Sequence, residues 1–385
     1  MMEVRLSLPP PDESEAPMVS YQECYSSRKR RGTVLMIGAF PPPLTGAALI
    51  NKRIADQLRQ FGHVKIVNVS PINLDRNWRY HFTRLGRMCL AFGFLIWHSR
   101  EFNTMYISLS GGLGQAYDLV LIAVARIFGY ALFIHHHSFS YVNKRSLVFA
   151  LIGKIAGYRA RHICLCTYMA TKLKATYGGV NQTITVSNAA LVGSPCRRQS
   201  PRRDVIVLGH MSNLMPEKGI DTTFDVLRRC RSAGVSVRLL IAGPVLDASV
   251  QNMLESARAE FGPIFEYRGA VHGKDKERFF QDIDIFLFPT RYHNEAQPLV
   301  VLEALAAGVP VIASARGCIG EAIGSAGLAV GENDDFVAQA LATLSDYAKS
   351  PDTLMQASRR ATERATAHFE QSSKDLQEIN QQLVG

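Results

Sequence analysis

Short apolar runs of strand length recur along the first half of the chain, and segments of helical length separate several of them. Strands that alternate with helices favour a parallel, doubly wound sheet, whose ligands bind beyond the carboxyl ends of the strands. That rule places the loops Ser108–Gly112 and His135–Ser138 at the mouth of the unit. The predicted strands are Val34–Phe40, His63–Val69, Thr104–Leu109, Ala131–His135, His162–Cys166 and Thr183–Val186.

A second α/β unit of the same kind begins at Val205. Between the two units, the segment 194–204 breaks the pattern with two prolines and four arginines, which is typical of a linker. The second unit contains predicted strands at Val205–His210, Ser236–Gly243, Ile283–Phe288 and Val311–Ala313. The predicted organisation is a disordered basic tail over 1–31, a first domain over 32–193, the linker over 194–204, a second domain over 205–365 and a C-terminal helix over 366–385.

Composition narrows the class of protein. With 385 residues, of which 47% are hydrophobic, the chain can bury a core in each of two domains. Its net charge of +10 favours an anionic partner, which could be a nucleotide, a membrane surface or a nucleic acid. The longest apolar candidate for a membrane span, 119–134, contains Arg126 and Gly129 in its middle, and no signal peptide opens the chain. We therefore predict a cytoplasmic protein that is soluble or bound peripherally to the inner face of a membrane.

Seven cysteines are present, and no two of them form a C-x-x-C pair. Cys164 and Cys166 fall in a predicted strand, where their side chains would point the same way without a second pair of ligands. We interpret all seven as reduced thiols and predict no metal site.

The stretch 286–314 combines an apolar strand, a polar loop and an apolar helix that is predicted to begin at Pro298. Free N–H groups and the helix dipole favour anions at such a helix start. Glu295 lies in the loop, and Glu303 lies in the helix, where a buried carboxylate requires hydrogen-bond donors. One hypothesis is that Glu303 accepts the hydroxyls of a ribose while Glu295 reaches the group beyond a diphosphate. The alternative is that Glu303 pairs with an internal Arg or Lys and that Glu295 is solvated.

Glu295 and Glu303 are separated by seven residues, and the text FLFPT…EAQPLVVLEALAAGVPVIAS resembles retaining glycosyltransferases of family four over about thirty positions. This resemblance implies the GT-B fold, in which two Rossmann-like domains with doubly wound parallel sheets face a cleft. The first domain would lie on the acceptor side, the second would bind a nucleotide sugar, and the last helix would cross back onto the first domain. The chain departs from the family at Ala296-Gln297-Pro298, where most members have Gly-Phe-Gly, and Pro298 has no N–H to donate to a phosphate.

The same resemblance assigns roles to other residues. Lys218 matches the lysine that binds the donor diphosphate, whereas Asn213 replaces the usual arginine. Glu321 falls in a loop on the far side of the donor. The implied donor-binding set is Gly46, Asn213, Lys218, Gly243, Gly269, Ala270, Ala296, Gln297, Leu299, Val300 and Glu303.

The implied catalytic group consists of Glu295, Lys218 and a histidine near the end of the strand that carries His135, His136 and His137. In a strand, His135 and His137 share one face and His136 takes the other. The resemblance does not decide which histidine is functional, so His135 and His137 are both candidates. Core histidines and metal ligands are the competing interpretations.

Segment 76–97 carries four arginines, at 76, 79, 84 and 87, interleaved with aromatic and apolar residues. A helix of this kind could lie on an anionic membrane, and lipid-linked acceptors suit many family members. A structural helix with a basic outer face would have a similar sequence.

The sequence thus predicts a retaining glycosyltransferase that moves a sugar from a nucleotide-diphosphate donor to a glycan or lipid-linked acceptor, without metal or cofactor. The alternative is a catalytically inactive GT-B subunit that binds a partner transferase. A nicotinamide oxidoreductase is disfavoured because no G-x-G-x-x-G follows the first strand. Nucleic-acid binding fits the charge but no motif.

Overall fold

A computed structural model describes residues 32–42, 45–70, 78–195 and 205–385, and for residues 78–81 only the backbone. The predicted tail and residues 196–204 of the predicted linker lie outside the described residues. Across the described ranges, the chain folds around two sheets of six strands, and every strand pair is parallel.

The first sheet has the strand order β2-β1-β3-β4-β5-β6. Its strands are β1 Thr33–Gly38, β2 His63–Asn68, β3 Thr104–Leu109, β4 Ala131–His136, β5 Arg161–Cys164 and β6 Gln182–Thr185. The connecting helices are α1 Gly46–Leu58, α2 Trp78–Trp97, α3 Gln115–Ile127, α4 Ser140–Asn143, α5 Leu147–Ala156 and α6 Thr167–Thr176.

The second sheet has the order β12-β11-β10-β7-β8-β9. Its strands are β7 Ile206–Met211, β8 Val237–Ala242, β9 Phe265–Tyr267, β10 Ile285–Phe288, β11 Val311–Ser314 and β12 Gly327–Val330. Its helices are α7 Ile220–Ser232, α8 Ala248–Phe261, α9 Gly273–Asp282, α10 Leu299–Ala306, α11 Ile319–Ile323 and α12 Phe336–Lys349, and α13 Pro351–Val384 ends the chain.

Both faces of the first sheet are covered, as a buried parallel sheet requires. Helices α2, α3 and α5 pack on one face through side chains such as Leu95, Ile122 and Phe149. On the other face, α1 packs through Ile50 and Ile54 in a separate core. The side-chain hydroxyl of Thr45 caps α1 by accepting a hydrogen bond from the backbone N–H of Ala48.

Helix α13 contributes to the cores of both domains. Near its start, Ala357 and Ala361 pack in the second domain. Near its end, Leu376, Ile379 and Leu383 join the core formed by α1 and β1 of the first domain. One helix of 34 residues therefore holds the two halves of the chain together.

The two doubly wound parallel sheets are confirmed, and every strand predicted from the sequence occurs with both ends within two residues of the predicted positions. Two details were wrong. Helix α10 begins at Leu299 with Pro298 as its N-cap, and Cys166 is the N-cap of α6, outside the strand. Among the described residues, no helix has the length and apolar character needed to span a bilayer.

Replacing Ile379 by Ala tests how much α13 contributes to the first domain. Ile379 is 2% exposed, so the change removes buried methyl groups and leaves a cavity, and we expect the free energy of unfolding to fall by about 2–5 kcal/mol. Urea denaturation measures it. The exposed neighbour Gln377→Ala should change stability by no more than about 0.5 kcal/mol, and equal effects of the two variants would contradict the packing.

Candidate active site

The carboxyl ends of strands from both sheets meet at the contact between the domains. The backbone N–H of Phe139, after β4, is 3.4 Å from the carbonyl oxygen of Asn294, after β10. The loops after β5 and β6 contact Gln297, and the loop after β5 also contacts Glu321, beyond β11. The predicted residues Glu295 and Gln297 therefore lie in a loop that contacts the opposite domain at the carboxyl end of β10, where ligands of parallel sheets bind.

Lys218 and Glu295 form an ion pair at the carboxyl ends of β7 and β10. Lys218 Nζ donates to Glu295 Oε2 at 2.5 Å, and Thr290 Oγ1 donates to the same oxygen at 3.1 Å. The ammonium also lies 4.6 Å from the centre of the Tyr292 ring, within range of a cation–π interaction. The side chains are only 14% and 10% exposed, so each charge depends on the other for compensation. Glu295 is thus not merely solvated.

The two loops that carry this pair are braced against each other. Arg291 donates to Asp221 Oδ2 and to the carbonyl oxygen of Pro216, each at 2.9 Å. Gly219 has a φ of 78°, and a Cβ there would overlap the carbonyl oxygen of Pro289, so the chain requires glycine after Lys218. These contacts fix the ammonium relative to the carboxylate.

Glu303 lies on α10 and is also paired. Lys276 Nζ, from α9, donates to Glu303 Oε1 at 2.6 Å, which matches the alternative in which Glu303 pairs with a Lys. The Glu303 side chain is 17% exposed, whereas a helix that is apolar nearly all round would be expected to bury it fully. A diol that bound Glu303 would share the carboxylate with Lys276.

Two glycines of the implied donor-binding set come together. Gly243, after β8, donates its backbone N–H to the carbonyl oxygen of Gly269, after β9, at 2.7 Å. Tyr267 Oη donates to the carbonyl oxygen of Gly243 at 2.8 Å. Ala270 and Asn213 are exposed beside these loops. Backbone groups and short side chains therefore line this end of the site.

The three consecutive histidines separate into two faces, as predicted. His136 is enclosed in the core, where its Nδ1 lies 2.9 Å from Tyr141 Oη and its Nε2 lies 3.0 Å from His162 Nδ1. His135 and His137 lie on the other face with ring centres 4.0 Å apart. His135 Nδ1 is 2.5 Å from Tyr106 Oη. Among the described residues, the Nε2 atoms of His135 and His137 have no hydrogen-bond partner.

Burial keeps these histidines neutral. Desolvation lowers the pKa of His137 and of His162 to about 4 and lowers the pKa of His135 and His136 well below the ordinary value of 6.5. A neutral imidazole whose Nε2 lacks a partner can donate to or accept from a hydroxyl. His135 and His137 have that capacity, and His136 is fully engaged in the core.

Asp118 on α3 was not predicted from the sequence. Its carboxyl group accepts the backbone N–H of Ser110 at 2.7 Å and holds the predicted loop Ser108–Gly112. Burial raises the pKa of Asp118 to about 7.

Gly46 lies at the start of α1, where a Cβ would meet open space, so a ligand could approach the backbone there without obstruction.

Gln297 contacts the first domain. Its Oε1 accepts the backbone N–H of Asn188 at 2.8 Å and the hydroxyl of Ser187 at 3.1 Å, and its Nε2 donates to the carbonyl oxygen of Leu165 at 3.3 Å. Asn188 Nδ2 also donates to the carbonyl oxygen of Gln297. The predicted donor-binding residues Leu299 and Val300 follow at the start of α10, where both are half-buried. The side chain of Gln297 thus joins the two domains.

Two further contacts cross the boundary between the domains. Glu321, on α11, accepts the backbone N–H groups of Thr167 and Tyr168 at the start of α6, each at 3.0 Å. Cys318, the N-cap of α11, forms a disulfide with Cys166, with a Cα–Cα distance of 5.8 Å, and donates its backbone N–H to the carbonyl oxygen of Ala296.

The prediction that all cysteines are reduced thiols is therefore wrong for Cys166 and Cys318. They are 152 residues apart in sequence, so spacing gave no indication of the pair. Cys89, Cys164 and Cys230 are free, whereas Cys24 and Cys196 lie outside the described residues. Within the ranges that the structure describes, no group of three or more His, Cys, Asp or Glu side chains is arranged to hold a metal ion.

Comparison with known proteins gives matches over part of the chain. Residues 202–346 match a family model described as "Glycosyl transferases group 1". The putative colanic acid biosynthesis glycosyltransferase WcaL of Salmonella typhimurium is 30% identical over 183 residues, which are 45% of this chain and 43% of that protein. A GDP-mannose-dependent alpha-mannosyltransferase of Mycobacterium tuberculosis is 35% identical over 121 residues, covering 31% of this chain and 28% of that protein. The chain spans less than half the length of these curated relatives.

Similarity to solved structures extends over nearly the whole chain. Sucrose-phosphate synthase from Thermosynechococcus elongatus superposes with a TM-score of 0.70 at 17% identity, covering 92% of this chain and 99% of that one. HepE from Anabaena, solved in complex with UDP and glucose, gives a TM-score of 0.62 at 17% identity, covering 91% and 98%. The predicted GT-B fold is confirmed.

Alkylation of the denatured protein tests the disulfide. We expect mass spectrometry to find two more alkylated cysteines after reduction than before, because Cys166 and Cys318 are released together. Closing a loop of 152 residues stabilises the fold by up to about 5 kcal/mol, so reductant should lower the free energy of unfolding. Cys318→Ser should abolish both effects, and Cys230→Ser should preserve them. Equal alkylation before and after reduction would disprove the bridge.

Acid titration tests the neutral histidine core. A lowered pKa in the folded state means that the unfolded chain binds protons first, so stability is fully present above about pH 6.5 and is lost as pH falls toward 4. For His162 the loss amounts to roughly 3 kcal/mol. His162→Gln should flatten the pH dependence of urea unfolding over this range, and replacing the exposed His272 by Gln should not. Parallel profiles for His162→Gln and the wild type would refute this.

Proposed function

We propose that the protein is a retaining glycosyltransferase that moves a sugar from a nucleotide-diphosphate donor to a glycan or lipid-linked acceptor. The observation that carries this proposal is the buried pair of Lys218 and Glu295 at the carboxyl ends of two neighbouring strands, facing the other domain. Both residues lie inside the segment that matches the glycosyltransferase family model. The GT-B fold supports the proposal.

The proposed reaction places negative charge on the leaving diphosphate. Lys218 is a cation held in a site with little water, where it stabilises that charge more than it would in bulk solvent. The N-terminus of α10 adds free N–H groups, although Pro298 contributes none. When the donor binds, Lys218 would exchange its contact with Glu295 for the diphosphate, and Glu295 would turn to hydroxyls of the sugar.

The nucleoside would lie further along the carboxyl edge of the second sheet. Gly243, Gly269 and Ala270 offer backbone groups to a base, and Glu303 offers a carboxylate to the ribose after partial release from Lys276. Asn213 stands where a second cation would be expected by resemblance, so Lys218 carries more of the diphosphate charge. No metal ion or cofactor is part of the proposed reaction.

The acceptor hydroxyl would approach from the first domain. Among the described residues, the Nε2 atoms of His135 and His137 are buried and lack a partner, so each would hydrogen-bond to a hydroxyl of the sugar or of the acceptor once a local rearrangement gives access. Retention would follow from attack on the same face that the diphosphate leaves, with Glu295 positioning the sugar and no covalent intermediate. Contact between the two domains would exclude water and so limit hydrolysis of the donor.

Names of the relatives suggest the substrate classes. One relative is named for colanic acid biosynthesis and another for GDP-mannose, while HepE was solved with UDP and glucose. We therefore propose polysaccharide or glycoconjugate assembly as the setting, at the cytoplasmic face of a membrane, with UDP- and GDP-sugars as the first donors to test.

An inactive GT-B subunit is the second candidate. Two features favour it: the side-chain amide of Gln297 hydrogen-bonds to the first domain instead of to a phosphate, and Asn213 replaces a cation. Such a subunit would bind a partner transferase and would turn over no donor.

A donor screen with matched variants tests the proposal. Thermal shift with UDP-, GDP- and ADP-sugars should identify one stabilising class, and that donor should be turned over. Glu295→Gln should lower kcat/KM by about 100-fold or more, because it removes a hydrogen-bonded carboxylate at the reacting sugar. Lys218→Met should weaken binding of the free nucleoside diphosphate, whereas Glu295→Gln should leave that binding largely intact.

The control is Glu363→Gln, which changes an exposed carboxylate on α13 and should retain full activity. If a donor binds but no turnover occurs in the wild type, the inactive-subunit hypothesis replaces this one. If no nucleotide sugar binds at all, the site assignment is overturned.

A further inference from the structure

Exposed large apolar side chains are concentrated on one part of the first domain. Of those among the described residues, all but Tyr168 and Leu246 lie between Phe82 and Tyr158. A monomeric surface rarely gathers so many, and such a patch is typical of an interaction site. They are Phe82, Leu85, Leu90, Phe92, Ile96, Trp97, Leu113, Val120, Ile127, Phe128, Leu147, Val148, Leu151 and Tyr158.

Helix α2 presents an outer surface that contrasts with the predicted basic face. Arg84 Nη2 lies 3.4 Å from Ser110 Oγ, and its guanidinium stacks near the Tyr117 ring. Arg87 donates to the backbone carbonyl oxygen of Ser70. Both arginines therefore face the protein, and from Phe82 to Trp97 none of the exposed residues carries a charge. The prediction that these arginines face outward is wrong, while Arg76 and the side chain of Arg79 lie outside the described residues.

Helices α3 and α5 extend the same surface. Helix α3 packs against both α2 and α5, so the three outer faces adjoin. Val120 and Ile127 point outward from α3, and Leu147 and Leu151 point outward from α5. We call this surface, formed by the exposed sides of α2, α3 and α5, the three-helix face.

Charge around the three-helix face is mainly positive. Between residues 82 and 160 the acidic residues are Glu101 and Asp118, and Asp118 is buried. Exposed basic residues on and around the three helices are Arg100, Arg126, Lys144, Arg145, Lys154 and Arg159. An apolar surface bordered by cations and nearly free of anions complements a layer that is apolar inside and negatively charged at its surface.

We propose that the three-helix face docks the protein onto an anionic phospholipid bilayer. The apolar side chains would enter the boundary between headgroups and acyl chains, and the basic residues would lie at the level of the lipid phosphates. A second copy of the chain fits this surface less well, because a symmetric dimer would bring two sets of cations together.

The three-helix face reaches the proposed acceptor side of the site. Leu113 is almost fully exposed at the start of α3, directly after the loop Ser108–Gly112. Gly111 in that loop lies beside Ser138, next to His137. If the proposed glycosyl transfer holds, a saccharide carried on a lipid headgroup would meet the cleft at this edge. The docking itself does not depend on the transfer reaction.

Vesicle flotation tests the docking with the full chain and no donor or acceptor. We expect binding to vesicles of phosphatidylcholine with about one third phosphatidylglycerol, weaker binding to phosphatidylcholine alone, and a decrease with salt as the cations are screened. The triple variant Leu90→Glu/Ile127→Glu/Leu151→Glu should lower the partition coefficient by at least about tenfold. These side chains are 73%, 79% and 45% exposed, so the fold should tolerate the change.

The matched control is Leu246→Glu, at a leucine that is 53% exposed on the second domain, and it should bind vesicles like the wild type. Thermal unfolding checks that every variant is folded. Equal binding to neutral and anionic vesicles, or equal loss in the control and the triple variant, would overturn the proposal. The proposal would also be overturned if the protein did not bind vesicles and light scattering showed a dimer that the triple variant dissociates.

Discussion

The hydrogen bonds of the Gln297 side chain fix how the two domains face each other. A buried amide needs hydrogen-bond partners, and Gln297 finds them in the backbone groups of Leu165, after β5, and Asn188, after β6, which belong to the other domain. Separating the domains would leave these groups unpaired unless water replaced the lost partners. Glu321 accepts a backbone N–H at the start of α6, and this contact and the bridge between Cys166 and Cys318 lie at the same domain boundary. The cleft therefore has a rigid boundary on this side.

Against that boundary, the charged groups of the second domain are held in pairs. Lys218 pairs with Glu295 and Lys276 pairs with Glu303, each at a strand or helix end that faces the proposed donor position. Burying a charge costs free energy, and here each charge is compensated by its partner and, for Glu295, also by the hydroxyl of Thr290. An anionic ligand that took over the lysine would leave the carboxylate without its cation, so the carboxylate would need new donors, such as hydroxyls of the bound ligand. The two pairs give the site charged side chains whose charges cancel until a ligand binds.

Ten of the twelve described strands could be predicted because buried parallel strands are continuous apolar runs, and Thr104–Leu109 was located to the residue, whereas the short β9 and β12 were not predicted. The bridge between Cys166 and Cys318 could not, since it joins loops brought together only by the docking of two domains. The orientation of α2 could not be predicted either. Arg84 and Arg87 lie within one turn of Met88, so the helical period places all three on one side, and it is the burial of Met88 in the structure that identifies this side as the inner one.

Helix α13 also sets an order of events during synthesis. Leu376, Ile379 and Leu383 complete a core whose first members, Val34 and Met36, were made more than three hundred residues earlier. Until those last leucines and isoleucine emerge from the ribosome, the face of the first sheet that α1 covers lacks the rest of its packing, and apolar groups there stay open to solvent. The nascent first domain is consequently the part of the molecule that a chaperone would have most reason to protect.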